Sequence, residues 1–109
     1  MTATELSVFD DHTFDEGVLA AQGLVIVEFW NDGCVPCRQL QKLLVRLSDE
    51  VPPNVQIGTV NIGENPSLAD RYGIRAVPAL FFFKNGEIVE TRAGVDRRQV
   101  IKKLAEAHA

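Results

Sequence analysis

The chain has two cysteines, and they stand three apart as Cys34-Val35-Pro36-Cys37. Side chains at that spacing on the first turn of a helix approach closely enough to close a disulfide, so the pair is a candidate redox couple. Its surroundings matter as much as its spacing. The pair follows the apolar run LVIVEFW (24–30) and precedes a helical pattern. Cys34 therefore falls where unpaired backbone N–H groups and the positive end of the helix dipole converge. Both favour the thiolate and pull its pKa below the ~8.5 of a free cysteine. Pro36 lies in the first turn, where a missing N–H costs little, and it stiffens the loop. Cys34 is then the attacking sulfur and Cys37 the resolving one. Two other readings use the same residues. A structural zinc site takes four ligands, and His12 and His108 lie near opposite ends of the chain, which leaves a half-site shared in a dimer. Two inert buried cysteines are the other reading; the strand-to-helix placement and the intervening proline argue against it.

The second unusual residue is Glu28, the one carboxylate in the run 24–30. Burial in an apolar strand disfavours the charged form and raises the pKa above the usual ~4.3. A carboxyl tuned toward neutrality can accept and return a proton. At a solvated strand end the same glutamate would do neither.

These residues need elements to hold them. Residues 24–30 are nearly continuous and β-branched, the pattern of a strand covered on both faces. Beyond the cysteines, Leu40, Leu43, Leu44, Leu47 and Val51 recur on one helical face, with Arg38, Gln41, Lys42 and Asp49 on others; Pro52-Pro53-Asn54 ends that helix. Leu6 to Phe9 reads as a short opening strand. Thr13 and Glu16 fit a capping box for a helix to about Ala21, stopped at Gly23. Val55 to Ile62 is a strand, and Asn65-Pro66 opens a short helix to about Tyr72. Residues 79–83 and 87–93 are strands joined by the hairpin pair Asn85-Gly86. Asp96 with Gln99 starts a last helix whose Val100, Ile101, Leu104 and Ala105 share a face. The order β-α-β-α-β-α-β-β-α implies an α/β domain, its early strands parallel and its closing hairpin antiparallel.

Composition sets the outer limits. At 109 residues, 46% hydrophobic and 24% charged, the chain reads as one soluble domain over 1–109 with enough core to fold without disulfide staples. No apolar run reaches the ~20 residues of a membrane span. The N-terminus has no basic and apolar leader pattern, so a reducing cytoplasm is the expected location. The net charge of −4 and the scattered basic residues give no nucleic-acid footprint.

The residues EFWNDGCVPCRQL and VPALFFFKNGEIVETRAG, with the order of elements, resemble the thioredoxin family from about residue 7 to 107. The resemblance implies a thioredoxin fold, a five-stranded mixed sheet in order 1-3-2-4-5 flanked by four helices, with Pro78 in the cis form against the disulfide. It implies a thiol–disulfide oxidoreductase that reduces protein disulfides, without a cofactor, as a monomer kept reduced by a thioredoxin reductase. It also implies a proton role for Glu28 beneath Cys37, where the family usually holds an aspartate. Trp30, Gly33, Val35, Pro36, Val77, Pro78 and Gly94 would form the substrate surface around Cys34, with the Val77 backbone bonding an extended substrate segment.

The departures from the family pattern are specific. Gly33 stands for a tryptophan, Val35 for a glycine, Thr59 for a lysine that often pairs with the buried carboxylate, and Lys42 for a proline that often kinks the helix. Asp32 adds a negative charge near the helix start. These differences keep two alternatives in view: a specialised relative with a dedicated partner or a different electron donor, and a docking or chaperone-like module whose thiols are incidental. Val35 offers neither charge nor hydrogen bond to stabilise a reduced thiolate, so the expected couple is moderately reducing, nearer ~−270 mV than ~−120 mV.

Overall fold

Residues 24–30 form β2 (Leu24–Trp30), whose first six residues are all buried. In the computed structural model, which describes residues 6–109, β2 is the middle strand of a five-stranded sheet. The other strands are β1 (Ser7–Val8), β3 (Val55–Asn61), β4 (Ala79–Lys84) and β5 (Glu87–Ala93), in the order β1-β3-β2-β4-β5. β2 and β1 run parallel to β3, while β4 is antiparallel to both β2 and β5. The helices are α1 (Val35–Leu47), α2 (Pro66–Arg71) and α3 (Arg98–His108), preceded by a π-helical turn at Asp15–Leu19. Sheet order, strand directions and four helical segments match the reading of the sequence.

Strand alternation divides the core into two layers. Val25, Val27 and Phe29 pack with Phe14, Val18, Val60, Leu68 and Phe83 on one side. Leu24 and Ile26 pack on the other with Leu40, Leu44 and Leu47 of α1, Leu80 and Phe82 of β4, and Ile101 and Ala105 of α3. Each such buried side chain contributes ~1.5–3 kcal/mol. By the same alternation Glu28 points to the second side, beneath α1. In register its neighbours are Thr59 on β3 and Leu80 on β4.

Two expected helix starts are corrected, and a third stands without its side-chain bond. The capping box exists but begins three residues earlier. Asp10 Oδ1 accepts from the N–H groups of His12 and Thr13, and Thr13 Oγ1 accepts from the Asp10 N–H. Asn65 is the N-cap of α2 with Pro66 at the first helical position, as expected, but its side chain makes no cap bond: it accepts from the Asp11 N–H and donates to the Asn61 carbonyl. Asp96 leaves the cap of α3 to Arg97 and pairs with Arg92 at 2.8 Å. Of these partners only Asp11, 54 residues from Asn65, is one that local sequence could not show. Boundaries also tighten: α1 ends at Leu47, so Val51 packs on the core from outside the helix.

Candidate functional site

The site forms where the sheet gathers chain ends. β2 leaves it at Trp30, and β4, running the other way, enters at Ala79, which pairs with Phe29. β5 leaves at Ala93, paired with Ala79. The segments that follow β2 and β5 and precede β4 are thus brought to one edge, which is also the carboxyl end of the parallel strands β2 and β3, the usual place for a site in an α/β sheet.

Cys34 is the N-cap of α1 in extended conformation (φ −88°, ψ 101°), and its Sγ accepts the Cys37 backbone N–H at 3.2 Å. A sulfur here takes the place of the serine or aspartate oxygen that usually satisfies this donor. Pro36 follows at the second helical position, so no N–H is lost from a partner there. Cys34 and Cys37 are joined as a disulfide with Cα atoms 5.2 Å apart. Cys34 is partly exposed, whereas Cys37, packed under the first turn, is fully buried. Of the two cysteines only Cys34 is open to solvent.

Around Cys34 the predicted contact residues fall into two groups. Gly33, Val35, Pro36 and Gly94 are exposed, Val35 to 53%. Gly33 has φ 80° with open space on its side-chain face, a left-handed backbone that glycine adopts without the strain an L side chain would meet. Val77 and Pro78 form the opposite wall. Their peptide bond is cis, and the Val77 carbonyl oxygen lies 3.9 Å from Cys34 Sγ. The Pro78 carbonyl accepts the Gly94 N–H at 3.0 Å, tying the end of β5 to this wall. Trp30 is half-buried at the end of β2, its indole N–H enclosed and unpartnered among the described residues. A cleft of about 330 Å³, lined in part by Tyr72, Ile74, Phe81 and Ala93, runs alongside from the loop before Pro78 to the end of β5.

On the side of β2 that α1 covers lies Glu28. The residue is 0% exposed, and neither carboxylate oxygen has a hydrogen-bond partner among the described residues. Desolvation pushes its pKa up to about 8, and the nearby Gln41 side chain pulls the other way. Thr59, directly beside it on β3, brings no charge to hold the carboxylate ionised. Gln41 is the residue that sequence reasoning misplaced. Counted among the outward faces of α1, it turns its Nε2 inward, buried and unpartnered among the described residues. Its signal was the spacing of four from Cys37, which stacks the two side chains on adjacent turns.

Among the described residues no three His, Cys, Asp or Glu side chains gather as metal ligands, and no helix is long and apolar enough to cross a membrane.

Known proteins similar to this chain agree with one another. A family model described as Thioredoxin matches residues 5–107. The thioredoxin of Rhodospirillum rubrum is 39% identical over 97 residues, 89% of this chain and 93% of that one. The thioredoxin of Rickettsia bellii (strain RML369-C) is 38% identical over 88 residues, 81% and 84% of the two chains. Among solved structures, a mutant thioredoxin from Halobacterium salinarum NRC-1 superposes with a TM-score of 0.86 at 28% identity, covering 99% of this chain and 94% of that one. With its cysteine pair at disulfide distance on this scaffold, the chain belongs to the thioredoxin family and is a thiol–disulfide oxidoreductase of the protein-disulfide-reductase kind.

Proposed function

We propose that the reaction runs through Cys34 as nucleophile, Cys37 as resolving thiol and Glu28 as proton acceptor. The Cys34 thiolate, stabilised by the N–H groups at the start of α1, attacks one sulfur of a substrate disulfide; that bond breaks, and the departing thiolate takes a proton from solvent. Cys37 then gives its proton to the Glu28 carboxylate and attacks Cys34 Sγ. The mixed disulfide breaks, the second substrate thiolate leaves and is protonated, and Glu28 returns its proton to solvent. Two electrons pass to the substrate, and Cys34–Cys37 ends as the disulfide.

The observation that carries this assignment is the asymmetry of the pair, a partly exposed N-cap cysteine and a fully buried one on the side of the sheet that also buries Glu28. Trp30, Gly33, Val35, Pro36, Val77, Pro78 and Gly94 are the contact surface. The Val77 N–H has no partner among the described residues and supports pairing with an extended substrate strand. Thioredoxins act on disulfide-containing substrates and are reduced by a thioredoxin reductase; this chain does so as a monomeric single domain in the cytoplasm.

Gly33 and Val35 support a narrower partner range than the family norm, since both change the surface that meets the substrate. Insulin reduction tests both points. Activity with a chemical reductant, lost in a Cys34→Ser, Cys37→Ser double variant, supports the assignment, and persistence in that variant contradicts it. Comparable turnover with a generic thioredoxin reductase makes the chain a general carrier; turnover with the chemical reductant alone makes it a specialised one.

A further inference from the structure

Two complementary polar groups lie buried beneath α1, and the exchange reaction as written uses only one of them. Glu28 offers two unpaired acceptor oxygens, and Gln41 an unpaired donor nitrogen. An amide N–H and a carboxylate enclosed without partners are each costly, and bonding one to the other relieves both. In the sheet Glu28 is flanked by the uncharged Thr59 of β3 and Leu80 of β4, and α1, which covers this side, brings Gln41 to it. None of these neighbours is a cation, and Cys37, buried on the same helix, is the thiol that the proposed reaction must deprotonate. Gln41 is four residues beyond Cys37, and helical side chains lean toward the N-terminus, so its amide lies over the turn that carries the resolving sulfur.

We propose that Gln41 is the positioning residue for Glu28, its amide N–H donating to the carboxylate once that group ionises and leaving the second oxygen free to face the Cys37 thiol. The inference rests on the reading of Glu28 as proton acceptor and adds the group that holds it. A hydrogen bond to a charged acceptor favours the ionised form. The amide thus does part of what a cation would do at a position where this chain has Thr59. Removing the donor while keeping the volume, as in Gln41→Met, strengthens proton binding by Glu28 about tenfold. At neutral pH the ionised fraction then drops by the same factor. Resolution of the mixed disulfide slows about tenfold, with its pH profile displaced upward, while the first attack by Cys34 is unchanged.

The test uses two readouts on the full chain. The Glu28 carboxyl is titrated by ¹³C NMR in the oxidised protein, where no thiol interferes. Resolution of a preformed mixed disulfide is followed by stopped flow from pH 6 to 10. Gln41→Leu repeats both measurements, and denaturant unfolding at pH 5 establishes that the variants are folded. Titration and rate profile moving together to higher pH support the proposal. An unmoved Glu28 titration overturns it and makes Gln41 a packing residue. A titration that moves while the rate profile stays also overturns it. The fault then lies in the proton role of Glu28, which a Glu28→Gln variant with wild-type resolution would expose separately.

Discussion

Glu28→Gln should stabilise the oxidised protein, and by an amount that grows with pH. The carboxyl titrates near 4.5 when exposed and at about 8 when folded, because burial penalises its charge. Since the folded state holds this proton more tightly, the unfolded chain releases it first as pH rises, and the release favours unfolding. The penalty is absent below the unfolded value, grows across the interval between the two values and levels off above the folded one. At ~1.36 kcal/mol per pKa unit, it amounts to about 3 kcal/mol at pH 7 and about 5 kcal/mol at pH 9. Glutamine has nearly the same shape and never ionises, so the variant escapes it. Its own burial cost is the same at every pH and drops out of the comparison. Urea unfolding of both oxidised proteins at pH 5, 7 and 9 reads the difference directly. The advantage of Glu28→Gln should widen by about 4 kcal/mol between pH 5 and 9. A constant difference over that range would show that Glu28 is ionised in the folded state at ordinary pH, and the argument from desolvation would fail.

Other consequences are simpler to read. Cys37→Ser should accumulate a stable mixed disulfide with substrate at Cys34, and Cys34→Ser should give none, as mass spectrometry after mixing with a disulfide peptide will show. The reduction potential, measured by equilibration with a dithiol buffer, should lie near ~−270 mV; a value above ~−180 mV would contradict the argument from the uncharged Val35. Gly58→Ala should lose about 1–3 kcal/mol in denaturant unfolding. The new methyl group would collide with the Phe9 ring and sit 2.9 Å from the Ser7 carbonyl oxygen, so an unchanged midpoint would mean that β1 and Phe9 yield easily.

Much of this was readable in the residues because the strongest signals are local. The nearly continuous apolar runs of β2 and β4, the leucine stripe of α1 and the Asn85-Gly86 turn follow from short-range pattern and backbone preference. The cysteine pair is local as well: three residues, a proline and a preceding strand suffice to put one sulfur at a helix start. The helix starts were less legible. Asn65 caps α2 by position, but its side chain bonds Asp11, 54 residues away, and Asp96 is claimed by the nearby Arg92, so the cap of α3 falls to Arg97. Gln41 was misread because a polar residue on an amphipathic helix is assigned outward by default. Only the folded sheet shows that it shares an enclosed space with Glu28. The strand order and the cis bond at Val77–Pro78 came from the family resemblance, since a preference of a few per cent gives no warrant for a cis bond from sequence.

The account stands on Cys34 being an accessible thiolate held by the first turn of α1, with Cys37 silent beneath it. Alkylation of the reduced protein by iodoacetamide across pH 5 to 10, with the modified cysteine located by mass spectrometry, measures this most directly. The expected result is a single fast modification at Cys34, with a midpoint clearly below the ~8.5 of a free thiol. Reaction first at Cys37, or a midpoint at Cys34 no lower than that of glutathione, would contradict it.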